Sequence, residues 1–229
     1  MTPLRLSYRT IEFGDIDIHV CTLRDTQEFF DPDGKAEKLG ISSASWPLFG
    51  VIWPSSMVLA HHMATYDIAN KRILEVGCGM ALSSLLLKKL NADITATDHH
   101  PEVETFLERN SLLNEGESIA FERIDWAEKQ NKLGRFDLII GSDLLYEDAH
   151  VELLSGFIRD HANPTCEVIL VDPGRGRKTL LSKQLLLQGF DSVHSKPAHT
   201  DYLTEDFQGY ILTFKREAVK VRTINEPTL

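Results

Sequence analysis

Cysteine is scarce in this 229-residue chain, and its three copies, Cys21, Cys78 and Cys166, lie far apart. An odd count without a CxxC pair offers neither a disulfide framework nor a zinc knuckle, and it suits a reducing cytoplasm. Long apolar runs are also lacking. No segment approaches eighteen uninterrupted apolar residues, and the opening MTPLRLSYRTIEFGDID has no apolar stretch behind a basic start. Neither a membrane span nor a secretory leader is expected. Basic clusters are missing as well: 24 Lys and Arg stand against 34 Asp and Glu, for a net charge of −10, and KREAVKVR near the end is a mixed-charge edge. This disfavours a nucleic-acid partner, whose phosphates need a basic footprint. The adjacent pairs His61-His62 and His99-His100 lack the i, i+4 spacing of a metal pair, so no metal is expected and the histidines read as packed or solvated.

With 42% hydrophobic residues, the chain can build one sizeable α/β core but is short for two enzyme domains. We expect one domain, monomeric and cytoplasmic. Residues 1–68 form an N-terminal appendage and lid, 69–217 the core and 218–229 a frayed tail. Residues 10–23 alternate apolar and polar about Gly14-Asp15, which predicts a β-hairpin. SSMVLAHHMATYD reads as a serine-capped helix.

From residue 71 strand and helix patterns alternate: RILEVG, MALSSLLLKKL, ADITATD, PEVETFLERNSLL, IAFERID, FDLIIGSD, a helix from about Asp148 to Arg159, CEVILVD and a helix within GRKTLLSKQLLLQGF. Such alternation implies a parallel sheet with helices on both faces. The last strands, DSVHSKPA and FQGYILTFKRE, are joined only by TDYLTED. A link that short requires an antiparallel pair. The expected architecture is therefore a Rossmann-like seven-stranded α/β sheet, mostly parallel, with one antiparallel strand near the C-terminus.

In RILEVGCGMALSS a buried strand ends at Gly77-Cys78-Gly79 and a helix follows, so bare glycines and backbone N–H groups can approach a ligand. A dinucleotide fingerprint wants a third glycine where Leu82 stands, whereas Glu75 suits a ligand bearing an ammonium group. Asp98 lies twenty-one residues after Gly77 at a strand end, where a carboxylate can accept both hydroxyls of a ribose. It could equally cap a helix ahead of Pro101. Ser142, Asp143 and Tyr146 fall at the carboxyl edge of the fourth core strand, where ligands of open α/β sheets bind. Asp148 is the better-placed cap for the helix that follows, which frees Asp143 for function.

The segments VIWPSSMVLA, ILEVGCGMAL, TATDHHPEVETFLERNSLLN, IDWAE and FDLIIGSDLLYED resemble, in order and spacing, the seven-β-strand protein lysine methyltransferases typified by chaperone and elongation-factor modifiers. VDPGR at 171–175 resembles the branch acting on the β subunit of electron-transfer flavoprotein, while IDWAE is closer to the chaperone-directed branch. The family's third motif glycine is replaced here by Ala81. The resemblance implies S-adenosylmethionine as cofactor, with Trp53, Gly77, Cys78, Gly79, Asp98, Trp126 and Ser142 lining it. It also implies that Asp143 and Tyr146 border a lysine channel and that a protein presenting a lysine is the substrate. In physical terms Trp126 could stack on adenine and Trp53 could close over the methionine end, although tryptophans also serve as packing residues. Asp143 is expected to capture and orient the lysine, with the proton leaving to water. Two rivals remain open on the sequence: a small-molecule N-methyltransferase and a non-catalytic nucleotide-binding module.

Overall fold

A computed structural model describes residues 4–218. The expected tail lies, apart from Ala218, outside the described residues. Strands β1 (Leu6–Phe13) and β2 (Ile16–Leu23) form the hairpin, turning at Gly14 with φ 65°. Short helix α1 (Lys35–Lys38) and a 3-10 turn at Leu48–Gly50 lead to α2 (Pro54–Met63). The serine cap expected for α2 is corrected: Trp53 is the N-cap residue and Pro54 opens the helix, where its missing N–H costs nothing. Ser56 Oγ instead donates back to the Trp53 carbonyl at 2.8 Å.

The core then runs β3 (Arg72–Val76), α3 (Leu82–Lys89), β4 (Asp93–Asp98), α4 (Val103–Leu113), β5 (Ala120–Arg123), β6 (Phe136–Ser142), α5 (Asp148–His161), β7 (Ala162–Asp172), α6 (Lys178–Leu187), β8 (Asp191–Ser195) and β9 (Tyr210–Arg216). The seven-stranded sheet has the order β5-β4-β3-β6-β7-β9-β8, with β9 antiparallel to both neighbours and the other pairs parallel. Because side chains alternate along a strand, β3 splits its residues between two cores. Ile73 packs with α2, α3 and α4 on one face, while Leu74 and Val76 pack with α5 and α6 on the other. Among the described residues no helix is long and apolar enough to cross a membrane.

The hairpin is more than an appendage. Ile18, Val20 and Leu23 are fully or almost fully buried in the core shared with α2, α3 and α4. Asn110 of α4 and Asn114, the C-cap residue one turn on, take up the open edge of β2. Asn110 accepts from the Cys21 N–H at 2.8 Å and donates to its carbonyl at 3.2 Å, and Asn114 does the same for His19 at 2.8 Å in both directions. These side-chain amides stand in for a neighbouring strand, so the edge carries no orphaned polar groups there.

Chain order reverses about β3. Strand β4 lies on one side of it and β6 on the other. Such a reversal leaves a crevice beyond the carboxyl ends of the strands, because the helices that follow depart in opposite directions.

Candidate functional site

A cleft of about 630 Å³ occupies that crevice. Its floor is the turn after β3. Gly77 and Gly79 have φ of 61° and 51°, a left-handed conformation costly to residues with a Cβ. Space is also short: a Cβ on Gly77 would come within 2.5 Å of the Leu144 side chain, and one on Gly79 within 3.2 Å of the Phe49 carbonyl oxygen. Ala81 holds φ 54° as the N-cap residue of α3, which explains why a glycine would be at ease there.

Asp98 ties two turns together. Its carboxylate accepts from the Gly79 N–H at 2.9 Å and from the His100 N–H at 2.8 Å. It thus caps locally, but the helix that follows starts later, with Glu102 as N-cap residue. Burial raises its pKa while these backbone donors pull the other way. Each oxygen keeps a second lone pair, so the half-buried carboxylate can still accept from a diol.

At the end of β6, Ser142 and Asp143 reach the cleft. Asp143 has φ 55°, and its N–H donates to the Val171 carbonyl at 2.9 Å, fixing it beside β7. Glu147, not Asp148, is the N-cap residue of α5, and Asp148 pairs instead with Arg177 at 2.7 Å. Tyr146, 45% exposed, stands edge-on to His150 at 4.5 Å, and Trp126 approaches the same ring at 5.6 Å. His150 is held by the Leu144 carbonyl at 3.1 Å. Burial raises the Tyr146 hydroxyl pKa.

Trp53, Gly77, Cys78, Gly79, Asp98, Trp126, Ser142, Asp143 and Tyr146 therefore all line one cleft. Glu75, expected to serve a ligand's ammonium group, is not among the residues that line the cleft. Its side chain is 3% exposed and accepts from both the N–H and the hydroxyl of Ser84 at the start of α3. Burial raises its pKa to about 7. At position 75 the strand's alternation turns the side chain inward, toward the helix, so it braces the glycine turn from beneath.

A lid was expected within residues 1–68, but apart from Trp53 none of its residues was singled out. Ile41, Ser45, Leu48, Phe49 and Val51 overhang the cleft, and Trp53 Nε1 donates to the Leu48 carbonyl at 2.9 Å, pinning that segment to α2. His100 is 5% exposed and stacks on Phe49 with centroids 3.9 Å apart. Burial pushes its pKa down to about 4. A turn-rich stretch such as 41–51 carries no periodicity that could announce this role. Arg175 also reaches the cleft. The signal for it was VDPGR, whose partner lies on another element.

The cleft fits a nucleoside-bearing cofactor: a glycine turn admits close backbone approach, a half-buried carboxylate faces the space, and Ile124 and Trp126 offer apolar walls. A family model described as lysine methyltransferase matches residues 42–179. The chain is 30% identical over 115 residues to the protein N-lysine methyltransferase METTL21A of Danio rerio, covering 45% of this chain and 52% of that protein. It is also 30% identical over 108 residues to the histone-arginine methyltransferase METTL23 of Xenopus laevis, covering 44% and 46%. The match thus spans about half the length of these curated relatives. In fold it is similar to the magnesium protoporphyrin IX methyltransferase of Synechocystis, solved with S-adenosylmethionine bound, at TM-score 0.55 and 16% identity over 90% of this chain and 88% of that one. The fold, the composition of the cleft and the matched span of 42–179 agree, and the chain belongs to the lysine methyltransferase family.

Proposed function

We propose that the protein is an S-adenosylmethionine-dependent methyltransferase whose acceptor is a lysine side chain of a protein. The observation that carries this reading is the convergence of the Gly77–Gly79 turn, Asp98 and the Asp143–Tyr146 element on one cleft. Asp98 would accept the ribose hydroxyls, Trp126 and Ile124 would flank the adenine, and Gly77, Cys78, Gly79, Ser142 and Trp53 would surround the methionine moiety.

When bound, the cofactor supplies an electrophilic methyl on a sulfonium. The acceptor nitrogen must present a lone pair to the methyl carbon. The amine would take the methyl as the sulfonium sulfur became a thioether, and its surplus proton would pass to water. Free lysine, of pKa ~10.4, is neutral in only about one molecule of a few thousand at pH 7. The chain's contribution is therefore to orient the amine and to favour its unprotonated form. The half-exposed Tyr146 ring, with Asp143 behind it, would flank the entering side chain, and Trp53 and the 41–51 roof would exclude water. The protein is taken to act as a single-domain monomer in the cytoplasm, on protein rather than nucleic acid; three free, buried cysteines and a net charge of −10 support this.

Relatives named for lysine and for arginine make the acceptor the point to test. Tritiated methyl transfer into a cell lysate, followed by hydrolysis and amino-acid analysis, should place label in methyl-lysine. Label in methyl-arginine or methyl-histidine, or in small molecules that survive prior proteolysis of the lysate, would overturn the acceptor. Calorimetry should show S-adenosylhomocysteine binding and no comparable binding of NAD.

A further inference from the structure

The carboxylate expected to meet the acceptor is already engaged. Arg175 Nε and Nη2 donate to the two oxygens of Asp143 at 2.5 and 2.9 Å, a forked pair that uses both atoms of the carboxylate. The Asp143 side chain is 13% exposed and that of Arg175 42%. The loop is shaped to deliver this arginine. Asp172 Oδ1 accepts from the Gly174 and Arg175 N–H groups at 2.5 and 3.0 Å, and glycines with φ of 105° and 86° flank Arg175. The guanidinium also stands 6.0 Å from the Tyr146 ring centre.

The charge pattern gives this pair a purpose. Among the described residues that line the cleft, Arg175 alone is lysine or arginine, against the carboxylates of Asp98, Asp125 and Asp143. Around the pair, Tyr146 and His150 also line the cleft, Glu147 caps α5 beside them and the buried Asp172 closes β7; Cys78, His99 and His100 are the remaining titratable groups of the lining. A bare carboxylate beside an amine holds it as ammonium and raises its pKa by about 1–3 units. A carboxylate already bound to a guanidinium exerts much less of that pull.

Resting on the lysine-acceptor reading, we propose that Arg175 is a positioning residue for the reaction: by pairing with Asp143 it gives the entering lysine a charge-neutral wall, so that the channel favours the reactive amine over the ammonium. Asp143 then orients the acceptor as half of an ion pair, not as a free counter-ion.

The experiment follows methyl-lysine formation in a fixed lysate protein pool from pH 6.5 to 10, for the wild type, Arg175→Ala, Arg175→Lys and the double variant Asp143→Asn/Arg175→Ala. S-Adenosylhomocysteine affinity and melting temperature are measured alongside. Arg175→Ala should keep its cofactor affinity, lose about tenfold in rate at pH 7.5, approach wild type near pH 10, and show the midpoint of its pH profile raised by about one unit. Arg175→Lys, which keeps the charge, and the double variant, which removes the bare carboxylate, should both move the midpoint back. A uniform loss at every pH with an unmoved midpoint overturns the proposal in favour of a merely structural pair. A rate that rises in Arg175→Ala overturns it in favour of a latch that the substrate must displace. Failure of the wild type itself to label lysine removes the underlying reading and this proposal with it.

Discussion

Replacing Asp98 with alanine separates the two jobs this side chain is positioned to do. In the free protein its carboxylate accepts from the N–H groups of Gly79 and His100, at 2.9 and 2.8 Å. Hydrogen bonds to a charged acceptor contribute roughly 1.5–3 kcal/mol each, but burying the carboxylate is itself costly and offsets part of that. Burial raises the Asp98 pKa, which is the mark of that cost. The net loss of stability should be about 1–3 kcal/mol, or about 2–10 °C in melting temperature for a chain of this size. Cofactor binding should suffer more, because two charge-assisted bonds to vicinal hydroxyls vanish together, a loss of at least about 3 kcal/mol or a hundredfold in affinity. Calorimetry with S-adenosylhomocysteine below the melting transition reads the second effect free of the first. A folded Asp98→Ala protein with wild-type affinity would refute the ribose assignment and leave Asp98 as a clamp between two turns.

Other outcomes follow from single contacts. Glu75 holds its proton more tightly folded, at about 7, than its ordinary value of 4.5. Its contribution to stability is therefore full below pH 4.5 and lost as pH rises toward 7, by about 3 kcal/mol. Glu75→Gln, which can still accept from Ser84, should flatten the loss of melting temperature between pH 5 and 8; an unchanged slope would mean that another group titrates. His100 behaves oppositely: with its pKa pushed down to about 4, it withdraws stability as pH falls from 6.5 toward 4. His100→Phe should blunt acid unfolding, and an equal acid midpoint would contradict the assignment. Asn110→Ala strands the Cys21 N–H and carbonyl inside the core and should cost about 2–4 kcal/mol in denaturant unfolding. A loss below about 1 kcal/mol would show that the hairpin edge is satisfied otherwise.

The sheet was legible because strand and helix patterns alternate from residue 71, and the antiparallel end because no helix pattern separates the last two strands, although they are shorter than expected and the link between them runs over 196–209. The cleft residues at strand ends could be read for the same reason: topology alone brings Gly77, Asp98 and Ser142 to one edge. What could not be read were contacts between elements distant in sequence. Nothing local distinguishes Asn110 and Asn114 from a solvated helix face, yet they clamp a strand some ninety residues away. Glu75 could be placed beside the glycine turn, but not its partner: the alternation that buries Leu74 against one helix layer turns Glu75 toward the other, onto Ser84. Arg175 could be picked out as part of a motif, but its partnership with Asp143 depends on the packing of β7 beside β6.

Whether this cleft delivers a methyl group to the amine of a protein lysine is decided by the chemical form of the label after transfer into lysate protein. Wild-type protein with tritiated S-adenosylmethionine should yield methyl-lysine in protein hydrolysates, and at cofactor concentrations well below saturation Asp98→Ala should lower the yield about a hundredfold. Label in methyl-arginine or methyl-histidine, or undiminished transfer by Asp98→Ala at the same limiting cofactor, would contradict that reading.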